Sequence, residues 1–546
     1  MTDIGPVGHT HQHRVTVARA VMSLIAAYGV DTVFGIPGTH NIELYRPLQE
    51  LGLRTVTTRH EQGAVFAADG WSSTRGIPGV VITTSGPGLL NALSAAGTAW
   101  AESRPLLLLS PGRERGLPIE RSGALHETKD PLGATASVLS WSRRAESASE
   151  AIDAVHDAFR FFRCARPGPV HVELPLDLLT EAWSAALPQP RRIEAAPLPP
   201  HPEVHRASEI LSAAARPAIL AGGGSASAGS SLQTLAERLG APVVTTVNGK
   251  GVISERHPLV VGSDIRLPAV QSLLSSADVL LVVGSDIGDA ELWGGSITPE
   301  KIIRVDIDPA QTRRLLDPAV VLVGDAEVII PLILQDSSLS DAARLSGTAR
   351  ECWTDVAALR DEVSQMTRRS HPELSRIVDE VATVLPVDAI IAGDSSQVTY
   401  LATSTLFRSV QAGQLLYMPT YATLGYGLPA ALGAKIAAPE RTVVGLIGDG
   451  ALMFSVQEFV TAVEQRLCLP IVCVDNGGYG EIRDNMTDAG MTPVGVDLVQ
   501  PDWAALGSAL RGRGCVATPD SVGDAVRDAL QHLLPTLIHV RVEHSG

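Results

Sequence analysis

Two polar residues, Asp449 and Asn476, follow short apolar runs that the sequence predicts to be buried strands. Asp449 lies in the motif Gly448-Asp449-Gly450, and glycines allow a tight turn and the close approach of a backbone to a ligand. Asn476 precedes Gly477 and Gly478, whose turn leaves a backbone carbonyl free. A carboxylate, an amide oxygen and a carbonyl suit Mg²⁺, which also takes oxygens from a diphosphate. The Gly-Asp-Gly motif alone is better explained by an ordinary β-α-β unit with a glycine turn, and it is the asparagine at the next strand end that makes the pattern predict a metal site.

A β-α-β unit is needed to position these two residues. The runs 443–447 and 471–474 are rich in branched apolar residues and predict two parallel strands. Between them we predict a helix that begins at Ser455, because Glu458 follows three residues later in the spacing of a capping box. Both strands then end at the edge of the sheet where open α/β sheets bind ligands.

A third polar residue, Glu61, lies where a predicted strand (54–58) passes into a predicted helix that continues to about residue 74. Taken alone, a glutamate at that place is explained by its favourable interaction with the helix dipole. Two glycine-containing loops, 35–41 and 85–91, follow other predicted strands of the same segment. Several ligand-binding loops at one sheet edge are therefore predicted.

Size and composition restrict the possible functions. A chain of 546 residues with 45% apolar residues is expected to form about three domains. The net charge of −16 argues against nucleic acid and against anionic membranes as partners. No apolar run is long enough to span a bilayer, and the N-terminus has no apolar signal region. The five cysteines are scattered without metal-ligand spacing, which predicts a cytoplasmic location.

Together these motifs resemble those of thiamine-diphosphate (ThDP) enzymes of the acetolactate synthase and 2-oxoacid decarboxylase family. The Gly-Asp-Gly motif with Asn476 resembles the diphosphate-binding motif of that family, and residues 85–91 resemble its Gly-Pro-Gly-x-x-Asn loop. Residues 421–431 resemble the loop and helix under the thiazolium. The resemblance covers nearly the whole chain. It implies an α/β protein of three domains, each a mostly parallel sheet flanked by helices, with the ThDP-binding fold in the first and third.

The resemblance also implies how the chain is divided and assembled. A proline- and alanine-rich stretch and a later charged stretch mark two linkers. In the family the first domain of one subunit faces the third domain of another, so a homodimer or homotetramer with sites between subunits is implied. The implied division is a disordered tail (1–13), a pyrimidine-binding domain (14–186), a linker (187–202), a middle domain (203–344), a helical linker (345–369) and a diphosphate-binding domain (370–546).

Roles for individual residues follow from the same resemblance. Glu61 is implied to bond N1′ of the aminopyrimidine of the cofactor, and Leu424 to wedge between the two rings of the cofactor. Asp449, Asn476 and Gly478 are implied to hold Mg²⁺. Further cofactor contacts are implied for Gly35, Pro37, Gly86, Asn91, Ser396, Gln397, Gly448, Gly450, Ala451 and Tyr479.

The middle domain of acetolactate synthases binds FAD. Two segments of the predicted middle domain of this chain indicate whether FAD binding is expected here. Residues 284–287 lack the arginine-containing pattern associated with the flavin. The glycine run 222–224 is weak support for a nucleotide site. We therefore expect no FAD.

Local motifs indicate the reaction, which the family begins by decarboxylating a small-molecule 2-oxoacid. Segments 35–45, 125–127, 393–397 and 478–483 look closest to 5-guanidino-2-oxopentanoate (2-ketoarginine) decarboxylases. His126 is a candidate for the catalytic proton donor that ends the reaction as an aldehyde, and a loop histidine without a role is the alternative. Candidate substrate contacts are Thr39, His40 and Glu481, with Asp484 and Glu43 as further acidic partners for a guanidinium tail. For each of the three acidic residues a solvated surface charge is the alternative.

Three functions stay open at this level. The first is a Mg²⁺- and ThDP-dependent 2-oxoacid decarboxylase, a lyase that releases an aldehyde and carbon dioxide. The second is an acetolactate-synthase-like carboligase, a transferase. The third, a non-catalytic scaffold that binds the cofactor, is disfavoured because Glu61, Asp449 and Asn476 are all present.

Overall fold

The computed structural model describes residues 15–117, 121–193, 198–314, 317–339 and 350–543. Within these residues the strands form three sheets of six strands each. Neighbouring strands pair in parallel in all three sheets. The predicted tail at 1–13 lies outside the described residues, as does part of each predicted linker.

The strands are short and mostly buried on both faces, as expected for parallel sheets covered by helices. The first sheet contains β1 (Thr32–Gly35), β2 (Arg54–Thr57), β3 (Gly79–Ile82), β4 (Leu106–Gly112), β5 (Trp141–Arg144) and β6 (Val170–Pro175). The second contains β7 (Pro217–Ala221), β8 (Val243–Thr245), β9 (Val260–Gly262), β10 (Val279–Val283), β11 (Lys301–Asp306) and β12 (Val320–Val323). The third contains β13 (Ile390–Gly393), β14 (Leu415–Leu416), β15 (Val443–Gly448), β16 (Pro470–Asp475), β17 (Arg513–Ala517) and β18 (Thr536–Arg541).

The first and third sheets share one topology. Their strand orders are β2-β1-β3-β4-β6-β5 and β14-β13-β15-β16-β18-β17, which are the same when strands are counted along the chain. The second sheet has the different order β12-β11-β10-β7-β8-β9. The prediction of an α/β protein with one fold in its first and third parts is confirmed, whereas the residue boundaries of the domains stay a prediction.

Helices cover the faces of the sheets. In the first third of the chain they are Val17–Ala27, Ile42–Tyr45, Glu61–Arg75, Pro87–Ala101, Pro131–Ala136, Ala148–Cys164 and Leu176–Thr180. In the middle they are His201–Ala213, the 3₁₀-helix Gly223–Ala228, Gly229–Leu239, Pro268–Ser275, Asp289–Leu292 and Ala326–Gln335. In the last part they are Val356–Ser370, Pro372–Val384, the π-helix Val398–Thr403, Ser404–Leu406, Gly427–Ala437, Asp449–Leu452, Glu458–Glu464, Gly480–Asp488, Trp503–Ala509 and Val522–Ala529.

Two helices join the first and third domains within one chain. The helix Glu61–Arg75 packs closely against the helix Gly427–Ala437. A Cβ atom at Gly70 would lie 2.2 Å from a carbonyl oxygen of the facing helix, and one at Gly433 would lie 1.9 Å from Ala67 O. Such contacts are too short for any side chain, so the glycines allow this approach. The helix that begins at Glu61 is thereby held in a fixed position.

A buried ion pair fixes the middle domain against the third. Lys250 Nζ lies 2.7 Å from Glu255 Oε1, and both side chains are buried. Lys250 Nζ also donates to Ser404 O at 2.9 Å, and Glu255 Oε2 accepts from Ser409 N at 2.7 Å. Because both charges are satisfied across the boundary, the two domains keep one relative position there.

The prediction that a helix begins at Ser455 is wrong. The strand β15 passes directly into the short helix Asp449–Leu452, and the next helix begins at Glu458. The Glu458 carboxylate does not cap its own helix, since Glu458 Oε1 accepts hydrogen bonds from Arg59 N at 2.9 Å and His60 N at 3.0 Å. The hydrogen bonds of Glu458 to the backbone of Arg59 and His60 thus stand in place of the predicted capping contact within its own helix.

Candidate active site

Three oxygen atoms converge at the carboxyl ends of β15 and β16. Asn476 Oδ1 lies 3.2 Å from Asp449 Oδ1 and 3.0 Å from Gly478 O. The Asp449 side chain is buried, and its Oδ2 has no hydrogen-bond partner among the described residues. Neighbouring ligands that are 2.0–2.1 Å from an octahedral Mg²⁺ lie about 2.9 Å from each other. The oxygen spacing therefore fits a single Mg²⁺ ion.

A chain of hydrogen bonds fixes the direction of the Asn476 amide. Gln397 Nε2 faces two carboxylates, with Glu481 Oε2 at 3.4 Å and Asp484 Oδ2 at 3.3 Å. Ionised carboxylates only accept hydrogen bonds, so Gln397 Oε1 points the other way and accepts from Asn476 Nδ2 at 3.1 Å. Reversing the Asn476 amide would set two oxygens against each other. Asn476 Oδ1 is consequently the atom that faces the other two ligand oxygens.

The glycine turn after Asn476 has a conformation that favours glycine. Gly477 has φ +85° and Gly478 has φ +143°. A Cβ atom at Gly478 would lie 2.0 Å from Val496 O, to which Tyr479 N donates at 2.9 Å. A larger residue at position 478 would therefore displace the carbonyl that belongs to the oxygen set.

The other predicted diphosphate contacts in the third domain surround these oxygens. Ser396 Oγ accepts from Gly448 N at 3.0 Å, which joins the ends of β13 and β15. Gly450 and Ala451 belong to the short helix that Asp449 begins. The Tyr479 ring lies over Gly450, where a Cβ atom would be 3.0 Å from the ring.

Asp394, which sequence reasoning missed, holds the loop that contains Leu424. Its buried carboxylate accepts from Gly425 N at 3.1 Å and from Gly427 N at 2.7 Å. Burial raises the pKa of Asp394 to about 6, against the effect of these hydrogen bonds. Leu424 is half-buried at the edge of the apolar core. The signal in the sequence was an aspartate at the end of a predicted strand, directly before Ser395.

In the first domain, Glu61 and Asn91 come together. Glu61 is the first residue of its helix, as predicted, and its side chain is buried. Glu61 Oε2 accepts a hydrogen bond from Asn91 Nδ2 at 3.0 Å. Glu61 Oε1 approaches Gly88, where a Cβ atom would lie 2.9 Å away. Burial, followed by the charge of Glu61, raises the pKa of the nearby Tyr45 hydroxyl. Two motifs that lie apart in the sequence thus position one carboxylate.

The two candidate histidines, His40 and His126, lie on either side of Ser85. His40 Nδ1 is 2.6 Å from Ser85 Oγ, and His126 Nδ1 is 3.5 Å from the same oxygen. The ring centroids are 5.1 Å apart at an interplanar angle of 64°. Burial, followed by the nearness of His126, lowers the pKa of His40. His40 is therefore neutral near pH 7, and Ser85 is a site residue that sequence reasoning missed.

Glycines bring the surrounding loops together. Gly86 has φ +60°, and a Cβ atom there would lie 2.4 Å from His126 O. A Cβ atom at Gly35 would lie 2.0 Å from a carbonyl oxygen of β3. Pro37 and Thr39 lie exposed in the loop after β1. No contact between described residues assigns a role to Pro37 or Thr39.

Within one chain the candidate residues form two separate groups. Glu61 and the histidines lie at the edge of the first sheet, whereas Asp449, Asn476 and Glu481 lie at the edge of the third. No hydrogen bond or ion pair between described residues joins the two groups. Glu458, which the sequence predicted only as part of a capping box, links the domains instead, and burial raises the pKa of its carboxyl group to about 7.

A cavity of about 600 Å³ lies between the first and middle domains. Arg104, Arg166 and Arg314 line it from outside the segment 284–287. Arginine side chains thus reach the cavity although the segment 284–287 contains no arginine. The sequence of that segment therefore does not decide what the cavity binds. The expectation that no FAD binds stays a prediction.

In the described part of the chain, none of the helices is both long enough and apolar enough to cross a membrane. The same residues contain no group of three His, Cys, Asp or Glu side chains that could hold a metal ion. The oxygen set at Asp449 is not such a group, because two of its three members are an amide oxygen and a backbone carbonyl oxygen.

Three family models match the chain in order. Residues 15–130 match the N-terminal TPP binding domain of thiamine pyrophosphate enzymes, residues 204–333 match their central domain, and residues 394–540 match their C-terminal TPP binding domain. Glu61, Asn91 and His126 fall in the first match, and Asp449 and Asn476 in the third.

Curated relatives are similar over nearly their full length. The chain is 39% identical over 529 residues to a probable 2-ketoarginine decarboxylase, AruI, of Pseudomonas aeruginosa. The matched residues make up 95% of this chain and 92% of that protein. It is 29% identical over 555 residues to a probable acetolactate synthase large subunit of Methanocaldococcus jannaschii (96% and 92%). It is also 29% identical over 547 residues to the acetolactate synthase isozyme 2 large subunit of Escherichia coli (96% and 95%).

Proposed function

This chain belongs to the thiamine pyrophosphate enzyme family, and we propose that it catalyses the Mg²⁺-dependent, non-oxidative decarboxylation of a 2-oxoacid to an aldehyde and carbon dioxide. The observation that carries the proposal is the convergence of the Asp449, Asn476 and Gly478 oxygens at one sheet edge. The similarity to a probable 2-ketoarginine decarboxylase supports 5-guanidino-2-oxopentanoate as the substrate. The enzyme acts in the cytoplasm on a small molecule.

The residues of the third domain hold the cofactor. When bound, thiamine diphosphate supplies the electron sink that lets a 2-oxoacid lose carbon dioxide. Asp449, Asn476 and Gly478 would hold Mg²⁺, whose charge would offset that of the diphosphate. The residues that would surround the diphosphate are Ser396, Gln397, Gly448, Gly450, Ala451 and Tyr479. Leu424 would support the rings of the cofactor, and its loop is held by Asp394.

The residues of the first domain act on the aminopyrimidine end. The 3.0 Å hydrogen bond from Asn91 Nδ2 to Glu61 Oε2 fixes the orientation of the carboxylate and leaves Oε1 free, so Glu61 would bond the aminopyrimidine ring through Oε1. Gly35, Pro37 and Gly86 belong to the loops around it.

His126 holds the proton that completes the aldehyde. His40 Nδ1 lies 2.6 Å from Ser85 Oγ and His126 Nδ1 lies 3.5 Å from the same oxygen, so the His126 imidazole is the less tightly held ring of the pair and is assigned as the proton donor. Ser85 Oγ is close to both rings, so it can pass a proton between His40 Nδ1 and His126 Nδ1. Thr39 and His40, both in the loop after β1, are the proposed substrate contacts of the first domain.

Two subunits complete each site, in a homodimer or homotetramer. Support comes from the placement of Glu61 and Asp449 at the edges of two different sheets, with no hydrogen bond or ion pair between described residues joining their two groups. Mixing two inactive variants, Glu61→Gln and Asp449→Asn, tests this arrangement. Sites shared between subunits would restore one intact site in each mixed dimer, so activity should return after the subunits exchange. No recovery in verified mixed dimers would contradict shared sites.

An acetolactate-synthase-like carboligase is the second candidate, favoured by the similarity to two acetolactate synthase subunits. The two candidates differ in their products. The deciding experiment loads the protein with ThDP and Mg²⁺ and measures carbon dioxide and products from a panel of 2-oxoacids. We expect carbon dioxide and a free aldehyde from 5-guanidino-2-oxopentanoate. If this substrate gives no carbon dioxide while pyruvate gives acetolactate, the carboligase is the correct assignment.

A further inference from the structure

We propose that a cavity between the middle and third domains binds the positively charged tail of the substrate, and that Glu291 and Glu481 select a guanidinium group there. The inference rests on the proposed decarboxylase function. It adds one residue of the middle domain, Glu291, to the residues that choose the substrate.

The cavity has a volume of about 220 Å³ and adjoins the cofactor residues of the third domain. Ser395, which precedes Ser396 at the end of β13, lines it. Ala422 also lines it, from the loop that contains Leu424. A substrate whose reacting carbon lies near these loops can therefore extend its tail into the cavity.

Two carboxylates line the cavity from different domains. Glu481 lies in the first turn of the helix Gly480–Asp488, and its Oε2 accepts from Tyr400 OH at 3.0 Å. Glu291 Oε2 accepts from Gly288 N at 3.3 Å. Neither carboxylate forms an ion pair with a described residue. A guanidinium carries five N–H donors in a rigid plane and forms charge-assisted hydrogen bonds to carboxylates.

Positive charge within the cavity is already balanced. Arg266 is the only basic side chain among the described residues that line it. Its guanidinium lies 3.7 Å from Asp264 Oδ1 and 5.0 Å from the centroid of the Trp293 ring. Burial, followed by the charge of Arg266, lowers the pKa of the nearby His371, so this histidine is neutral near pH 7. The two glutamates are left without a cation.

Burial supports the same assignment. It raises the pKa of Glu291 to about 7, because a carboxylate among protein atoms without a cation is disfavoured. Glu291 keeps some solvent contact because it lines both this cavity and the larger one. A guanidinium bound beside it would favour the ionised carboxylate and would itself be bound more tightly for that reason.

Aromatic rings complete the cavity. Trp293, Tyr400 and Tyr417 line it, and the Trp293 and Tyr400 rings meet at 6.0 Å. Burial raises the pKa of Tyr400 and Tyr417, so both remain neutral phenols. The faces of such rings attract cations, arginine-like ones in particular. Trp293 is 52% exposed, which packing alone does not explain for so large an apolar residue.

The other acidic candidates fit less well. Glu43 is held by Arg46, with oxygen–nitrogen distances of 2.7 and 2.9 Å. Asp484 faces Gln397 Nε2 and does not line the cavity. The geometry therefore favours Glu481 and Glu291 as the pair that binds the tail.

The test compares two substrates that differ in charge but hardly in shape, 5-guanidino-2-oxopentanoate and the neutral 5-ureido-2-oxopentanoate. The holoenzyme should prefer the guanidino compound in kcat/KM by at least about 100-fold. Glu481→Gln and Glu291→Gln should each lower kcat/KM for the guanidino compound by about 10- to 100-fold, chiefly through a higher KM. The same variants should change kcat/KM for the ureido compound by less than about 3-fold. The control Asp488→Asn, an exposed carboxylate on the same helix as Glu481, should change neither.

An equal loss for both substrates in the glutamine variants would overturn the assignment, as would a wild type without preference. If the wild type decarboxylates neither substrate, the proposed function fails, and the cavity is then tested separately by calorimetry with 5-guanidinopentanoate, which has no 2-oxo group. Weaker binding in both glutamine variants than in Asp488→Asn would support the cavity assignment. Equal binding in all of them would overturn it.

Discussion

Replacing Gln397 by methionine should weaken Mg²⁺ binding although Gln397 is not a ligand. Its Oε1 accepts from Asn476 Nδ2 at 3.1 Å, and this contact points Asn476 Oδ1 towards Asp449 and Gly478. Methionine is a long, flexible side chain whose sulfur is only a weak acceptor. In the variant the Asn476 amide can reverse, and Nδ2 can donate to the two oxygens at 3.2 and 3.0 Å.

The size of the effect follows from those two hydrogen bonds. Mg²⁺ would have to displace both before it binds, and each contributes about 0.5–1.5 kcal/mol net. The expected penalty is therefore about 1–3 kcal/mol, which corresponds to roughly a 5- to 150-fold increase in the Mg²⁺ dissociation constant. Loss of a residue that orients a metal ligand typically weakens metal binding by about 10- to 100-fold, in the same range.

Calorimetric titration of the ThDP-saturated protein with Mg²⁺ measures this constant directly. The control is Gln335→Met, at the exposed end of the helix Ala326–Gln335, which should bind Mg²⁺ as the wild type does. Asp449→Ala gives the value for a lost ligand. If Gln397→Met is folded and its dissociation constant stays within twofold of the wild type, the argument for amide orientation is refuted.

Three further predictions concern catalysis, pH dependence and packing. Glu61→Gln should slow hydrogen–deuterium exchange at C2 of bound ThDP by at least about 100-fold, measured by NMR, and unchanged exchange would remove Glu61 from its role. Because the pKa of Glu458 is raised to about 7, the folded chain binds that proton more tightly than the unfolded chain does. Between pH 5 and 8 the unfolding free energy of the wild type should therefore fall by up to about 3 kcal/mol relative to that of Glu458→Gln. Denaturant titrations at several pH values measure both, and a difference between the two proteins that does not change with pH would contradict the prediction. Gly433→Ala, which would place a Cβ 1.9 Å from Ala67 O, should lower the unfolding free energy by at least about 1–3 kcal/mol. Gly288→Ala, whose Cβ would meet nothing within 4 Å, should change it by less than about 0.5 kcal/mol, and equal effects would show that the helix crossing tolerates a side chain.

The parts of the candidate site that the sequence anticipated are those that depend on local pattern. Apolar runs of strand length determine where β15 and β16 end, and parallel strands that neighbour each other end at one edge. Asp449 and Asn476 follow those runs directly, so their closeness needed no information from elsewhere in the chain. The α/β class followed from the same alternation of strands and helices.

The failed prediction at Ser455 shows where local pattern stops being sufficient. The spacing of Ser455 and Glu458 is that of a capping box, but the backbone N–H groups of Arg59 and His60 compete for the same carboxylate. A buried carboxylate is stabilised by whichever donors the packing brings to it. The helix–helix contact between the domains brings these two, nearly four hundred residues away in the chain.

The sequence by itself determined the fold class, the family resemblance and the residue types at the sheet edges, because each follows from patterns within about thirty residues. Only the tertiary structure decided which atoms face one another. It paired Asn91 with Glu61, directed the Asn476 amide through Gln397, and placed Glu291 beside Glu481 in one cavity. Hydrogen-bond partners and cavity walls come from segments that are distant in the chain, and their direction depends on packing that no local pattern records.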